Sequence, residues 1–466
     1  DNTSIGGQTL SANTTGACNT ALGQGALFTN TTASANTAIG RHALLLNTTG
    51  ACNVALGTFA LDASTTADNN VAIGYGSLTS TTAGGNVAVG SLAGLSLTTG
   101  HSHVALGFCA LYTATTGEGN TALGNGALKL TTTASDNTAV GRRALCTNTT
   151  GTANVAVGAY SLCLNTTASN NTAVGFCSLK TNTTGACNVV VGSLALDANT
   201  TGACNTSVGY GSLSENTTAP NNTAVGFYSL LSNTTGVQNV AVGTQALANN
   251  TTGHNNSALG RCALKCMTSG DSNTGLGSSS GRDISTGRCN STLGLNAGLN
   301  VSSGSNNLLL GKDSGRTGSP GGQIATSSNT IVLGDENINN ANIQVDWTVA
   351  SDQRDKTDFN NLDLGLDFVN KLNPVTYKWD KRSKYDKNLN VTPNGKHKQD
   401  WLDLGFKAQE VEALEIEAGY NKDNKTNLTI NLSGDGKQYG VQYAKFVPIL
   451  VNAIKELSET NKDLKS

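Results

Sequence analysis

Short apolar steps separated by polar turns recur at a fixed interval over residues 6–311. The segments Asn19-Thr20-Ala21-Leu22-Gly23, Asn36-Thr37-Ala38-Ile39-Gly40 and Asn53-Val54-Ala55-Leu56-Gly57 set the pattern. Their glycine returns every seventeen residues from Gly6 to Gly311, with one step, Gly74 to Gly90, a residue short. A fixed short period of this kind predicts a solenoid. Within residues 222–238, Thr223-Ala224-Val225 alternates as a strand does. Gly226 ends it at a bend that a side chain would not enter. Ser229-Leu230 reads as a second short strand. Asn233-Thr234-Thr235-Gly236 reads as a turn, with Asn bonding its own backbone and Gly left-handed. Two strands and two turns then make one coil, and coils stack in parallel about 4.8 Å apart. Eighteen steps from Gly6 to Gly311 predict a rod about 85 Å long. Val225 and Leu230 are expected to fill a thin interior. The Ala face is expected to be covered by neighbouring chains, three in all, and the Asn, Thr and Gly edges to face water.

The period breaks after Gly311. Residues 315–322 are a Gly/Ser/Pro linker. Asn329-Thr330-Ile331-Val332-Leu333-Gly334 restores one strand, and the alternation Ile343-Gln344-Val345-Asp346-Trp347-Thr348-Val349 predicts another. The expected organisation is a β-roll shaft over 1–311, a linker with neck strands over 312–350, and a small α+β domain over 351–466. The last helix carries a seam at Phe446, Leu450, Ala453, Leu457, Thr460 and Leu464, spaced by four and three as in a coiled coil. Pro448 suits its first turn. The alternative is an amphipathic helix packed on its own domain.

Charge supports the division. Of 60 charged residues, 24 precede Ser351 and 36 fall in the last 116 positions. The net charge of −2 makes no electrostatic case for nucleic acid or anionic lipid. No apolar run is long enough to span a bilayer, so membrane insertion is not expected. The chain starts inside a repeat, so an attachment region is expected to precede it. All eleven cysteines lie in the rod at recurring positions, Cys18, Cys52, Cys187, Cys204 and Cys289 sharing one of them. They lack metal-ligand spacing and read as small buried side chains in a reducing compartment. Cys187 and Cys204 fall on adjacent rungs, where a disulfide is possible but not required. His101-Ser102-His103 places two imidazoles on one face, either as a surface pair or as a metal site on a threefold axis. No metal or other cofactor is expected. The acids Asp62, Glu118 and Asp197 are isolated, without the paired carboxylates that a glycosidase needs. Asn-Thr-Thr matches a glycosylation acceptor, but it recurs because the turn does.

The repeats resemble the β-roll heads of trimeric autotransporter adhesins, with their Asn-Ser-Val-Ala-Ile-Gly-like motif. The period there is shorter, and this chain lacks their membrane-anchor strands. The resemblance therefore implies a trimeric rod rather than an autotransporter. From Ser351 the chain resembles the intramolecular chaperone auto-processing domain that ends phage tail spikes and fibres of the endosialidase type. Ser351-Asp352-Gln353-Arg354-Asp355-Lys356 matches its opening motif. Leu366-Asp367-Phe368-Val369 and Leu372-Asn373-Pro374-Val375-Thr376-Tyr377-Lys378-Trp379 follow. Gly405-Phe406-Lys407-Ala408-Gln409-Glu410-Val411 and Tyr443-Ala444-Lys445-Phe446-Val447-Pro448-Ile449-Leu450 complete the set. The resemblance implies self-cleavage between Ala350 and Ser351, with Ser351 as nucleophile and Lys356 as base. Asp352 and Arg354 are expected to fix the geometry by ion pairing. It further implies a homotrimeric viral fibre, from a bacteriophage tail, assembled in the host cytoplasm and carried on the virion. Its partner would be a host receptor, a glycan or a surface protein. The alternative is a non-viral trimeric adhesin that uses the same maturation domain.

Overall fold

The computed structural model describes every residue except 345, 346, 387, 424, 434 and 466. The chain is mainly β and divides into two compact units, Asp1–Arg288 and Cys289–Ser466.

The first unit is a parallel β-solenoid. Among the described residues it holds seventeen strands of three residues, from Thr3–Ile5 to Thr274–Leu276, one per repeat. Neighbours pair in register, Thr223 with Val240, Ala224 with Ala241 and Val225 with Val242. The expected second strand does not form. Leu230 instead sits in a turn at φ +49°, as its equivalents do along the unit. A left-handed L-residue costs about 1–2 kcal/mol, while burying a leucine contributes about 1.5–3 kcal/mol. Leu230 is fully buried, so burial offsets the strained backbone.

Leu230 fills the interior as expected, but the expected facing of the strand is reversed. Ala224 lies wholly inside its own chain, and the flanking strand residues point outward, with Val189 45%, Val240 42% and Leu259 50% exposed. The period of a strand is two, so misplacing the register by one residue turns every side chain over. Asn222 and Asn233 are likewise inside, not at the water. Each belongs to an amide ladder that runs from rung to rung. Asn222 Oδ1 accepts from the Asn239 backbone N–H at 3.0 Å, and its Nδ2 donates to the Gly236 carbonyl at 2.9 Å. Asn233 Nδ2 donates to the same carbonyl at 2.9 Å, and Asn250 Nδ2 donates to Asn233 Oδ1 at 2.8 Å. A buried carbonyl or N–H left without a partner costs about 1–3 kcal/mol, and these amides supply partners to the turn backbone. The Asn of each such Asn-Thr-Thr turn is therefore enclosed.

The two glycines of a repeat serve different needs. Gly226 has φ +134°, and a Cβ there would lie 2.7 Å from Gly243 of the next rung. Gly236 is not left-handed, contrary to expectation. It leaves space, since a Cβ would lie 2.4 Å from the Gly253 carbonyl and 2.5 Å from Asn233 Oδ1.

Cysteines split by position. Cys109, Cys146, Cys163, Cys177 and Cys262 are buried, whereas Cys18, Cys52, Cys187, Cys204 and Cys289 are exposed and all free. The second set sits at φ near +60° in a turn that directs the side chain outward, so it does not fill a core. His101 and His103 do not share a face either. His101 is exposed beside Glu118, 3.2 Å away, and His103 is buried.

The second unit opens with parallel strands Ser291–Leu293, Leu308–Leu310 and Ile331–Leu333, the last restored after the linker as its motif indicates. The described residues of 343–349 form no strand, and Trp347 and Val349 are exposed. Val345 and Asp346 of that expected strand lie outside the described residues. An α+β region follows, with helices α1 (Leu366–Lys371), α2 (Ala408–Glu417) and α3 (Phe446–Asp463). Strand Val375–Tyr377 pairs antiparallel with Asp403–Gly405, and Ile430–Leu432 with Tyr439–Val441. Leu364, Phe368, Val411, Ile430, Phe446 and Ile449 form its core.

Candidate functional site

The segment that opens the C-terminal motif set is a tight turn in an exposed stretch. Asp352 caps a 3-10 helix, Gln353–Asp355, by accepting from the Arg354 backbone N–H at 2.9 Å. Acidic side chains suit this position because the first N–H groups of a helix have no internal partner. The Lys356 N–H returns to the Gln353 carbonyl at 3.2 Å. One turn thereby brings position 356 back over position 351. Lys356 Nζ donates to Ser351 Oγ at 2.5 Å and to the Ser351 carbonyl at 3.4 Å.

Asp352 and Arg354 meet side chain to side chain. Arg354 Nε lies 3.1 Å from Asp352 Oδ1, and an Nη lies 2.6 Å from Oδ2. The Arg354 hydrogen bond, with the backbone bond behind it, holds the Asp352 carboxyl below the usual carboxylate range. The same bond raises Arg354. Ala350, Ser351, Asp352, Arg354 and Lys356 are all exposed. The Ser351 hydroxyl, one residue on from the Ala350 carbonyl in the chain, contacts an amine. A serine hydroxyl is a weak nucleophile until a base takes its proton. A lysine serves as that base once burial or a neighbouring cation removes its own proton.

The later motifs converge on one another. Val375–Tyr377 pairs with the strand that ends at Gly405. The Phe406 ring stacks on Phe446 at 5.3 Å and 22°, and the Phe406 N–H donates to the Tyr443 hydroxyl at 3.3 Å. The glycine-phenylalanine motif and the closing tyrosine motif are therefore in direct contact.

Two carboxylates that sequence reasoning did not single out join the elements. Glu456 of α3 accepts from the Leu366 N–H at 2.6 Å, at the start of α1. Asn452, one turn earlier, donates to the Leu362 and Leu364 carbonyls at 3.2 and 3.1 Å. Glu415 is buried and accepts from the Thr429 N–H at 2.6 Å and hydroxyl at 2.5 Å. An i,i+4 Asn/Glu pair on a helix is too common for its partner to be guessed from sequence. Among the described residues no group of three or more His, Cys, Asp or Glu is placed to hold a metal. None of their helices is long and apolar enough to cross a membrane.

Residues 351–420 match the model of the peptidase S74 family, the chaperone of endosialidase. No curated protein and no solved structure matches the chain. The C-terminal region is thus of the intramolecular-chaperone type, and the family implies a self-cleaving, serine-type activity.

Proposed function

We propose that the chain is the shaft and maturation domain of a homotrimeric viral fibre or spike, the tail fibre of a bacteriophage, which attaches the virion to a host receptor. The observation that carries this reading is the union of an endosialidase-type chaperone with a repetitive β-solenoid. A fold whose strands pair in one register out of many similar ones gains from a device that sets the register first. Residues 1–311 are the shaft, 312–350 the neck, and 351–466 the chaperone.

Trimerisation has two supports. A row of outward Val and Leu side chains runs along the solenoid strands. On α3, Val447, Leu450, Ile454 and Leu457 are also exposed. Both are apolar surfaces that subunit contact would cover.

Cleavage falls between Ala350 and Ser351. Ser351 Oγ attacks the carbonyl of Ala350 while Lys356 takes the hydroxyl proton. The Ala350–Ser351 C–N bond breaks as that proton passes to the leaving amine, and water hydrolyses the resulting Ala350 ester, freeing the Ala350 carboxylate and the Ser351 hydroxyl. The attacking group belongs to the same segment as the bond it breaks, so its effective concentration is high. Ser351 and Lys356 are exposed in the single chain. Burial by neighbouring subunits is what turns the lysine into a base, so cleavage waits for assembly. The fibre then loses the domain that templated it and is held by the barrier to unfolding.

The test is to compare residues 1–350 expressed alone with the same segment matured from the full chain. The expected outcome is a soluble protease-resistant trimer from the full chain only. Equal yields from both would remove the chaperone role.

A further inference from the structure

Two positions follow the bend glycine in every rung, and their occupants are not random. Residues 1–288 contain ten Phe and Tyr, and eight of them occupy these two positions: Phe59, Tyr75, Phe108, Tyr160, Phe176, Tyr210, Phe227 and Tyr228. The same residues contain nine Asp and Glu, and none of them does. One corner of the solenoid is therefore aromatic and free of negative side chains, while it carries Arg41, His42, Arg142 and Arg143.

Within this corner one constellation occurs twice. In the first copy, Arg41 lies over the ring of Phe59, 5.5 Å from its centre. Phe59 meets Tyr75 edge to face at 5.9 Å and 83°. In the second, Arg142 lies over Tyr160 at 5.1 Å, and Tyr160 meets Phe176 at 6.5 Å and 90°. In both, the arginine is followed by a second base, His42 or Arg143. In both, the outermost ring is half exposed, Tyr75 55% and Phe176 52%. The copies stand six rungs apart, from Gly40 to Gly141, a distance of about 29 Å at the usual strand spacing.

The fold does not require these rings. Phe59 and Tyr160 sit at φ +60° and +61°, a left-handed conformation that bulky side chains rarely adopt. Rungs that place Gly25, Gly76, Gly126 or Gly211 at the same position build the same coil. A strained aromatic kept where glycine suffices points to what its side chain touches.

We propose that each constellation is a binding subsite for an acidic polysaccharide, with the chain of sugars running along the corner and engaging both copies. The exposed ring offers a flat apolar platform for the C–H face of a pyranose. The pinned guanidinium, with the base beside it, accepts a sugar carboxylate through paired N–H donors. From arginine to platform is two rungs, about 10 Å, which suits two linked sugars. The two basic pairs stand about 29 Å apart, which does not suit nucleic acid, whose phosphates recur about every 3.4 Å along a strand and call for closely spaced cations. The inference deepens the host-attachment reading and rests on it.

The test applies the full-length protein to an array of acidic and neutral oligosaccharides that also carries single-stranded DNA. Wild type is compared with Phe59→Gly, Tyr160→Gly and the double variant. Glycine is native to this position in other rungs, so the variants are expected to fold and trimerise with an unchanged or slightly higher Tm. The expected result is retention on acidic glycans, weakened by salt, and at least tenfold weaker for the double variant. Each single variant should lose avidity for polymers while keeping affinity for short oligosaccharides, because one of two linked subsites remains. Preference for neutral glycans or for DNA overturns the proposal. Loss of the trimer in the variants overturns it too and assigns the corner to a subunit interface. Wild-type retention that the substitutions leave unchanged removes the subsites and leaves attachment standing, and a wild type that binds nothing on the array also removes the subsites while leaving a protein receptor open to the attachment reading.

Discussion

His103 occupies a place in the internal amide ladder that asparagine holds in the neighbouring rungs, Asn86 and Asn120. Its Nε2 donates to the Gly117 carbonyl at 2.7 Å, and its Nδ1 accepts from the Asn120 N–H at 3.2 Å. Both ring nitrogens are committed, so His103 has no lone pair for the metal considered from sequence. The neutral ring is the form that fits, and burial pushes its pKa below the ordinary value. An unfolded histidine titrates near 6.5. Stability from the neutral ring is therefore complete above about pH 6.5 and is lost as pH falls from there through the folded pKa. His103→Asn restores the ladder residue and is expected to flatten the decline of Tm as pH falls below about 6.5. A decline identical in both proteins would show that another group sets the acid limit. The ladder itself was not legible in the sequence. Asn and Thr are mostly surface residues elsewhere, and only the stacked turn, with its orphan carbonyls, reverses that expectation.

At the scale of elements, the seam of α3 shows what a heptad reading can and cannot deliver. The sequence pattern placed Phe446 and Ala453 in the seam, but both are buried against their own domain together with Ile449. The exposed row is Val447, Leu450, Ile454, Leu457, Asn461 and Leu464, spaced by three and four as a coiled coil requires. Two apolar rows lie side by side on this helix, and spacing alone does not tell which one meets the domain. Leu450, Leu457 and Leu464 belong to both readings. Asn461 falls at an a-type position of the exposed row, where a polar residue sets register at some expense of stability. The double variant Leu450→Lys, Ile454→Lys is expected to abolish the trimer by sedimentation velocity and to leave the α3 core intact. Trimers of unchanged mass would show that another surface joins the chains. The solenoid strands were legible because one alternating triplet recurs at seventeen residues with a single shorter step. The second strand was misread because Ser229-Leu230 is apolar for the same reason in a turn as in a strand.

For the whole molecule, the account joins a slow-folding β-solenoid to a domain that assembles first and then leaves. The C-terminal assignment was legible because four ordered motifs span about a hundred residues, and those after the exposed opening one meet in one core, through residues such as Phe368, Val411 and Phe446. At the turn around Ser351 the Asp352–Arg354 pair was foreseen, whereas the Asp352 cap on the Arg354 N–H was not. The Glu456 clamp on α1 also carried no signature. The most direct measurement is intact mass, with N-terminal sequencing of any fragment, on wild type, Ser351→Ala and Lys356→Ala. The account predicts a wild-type fragment that begins at Ser351 and appears only after trimers form. It predicts no cleavage in Ser351→Ala, and in Lys356→Ala a rate lower by about 10²-fold or more, the usual loss when a general base is removed. Both variants should still form trimers. Cleavage at an unchanged rate in Ser351→Ala, or a fragment that begins at another residue, would contradict it.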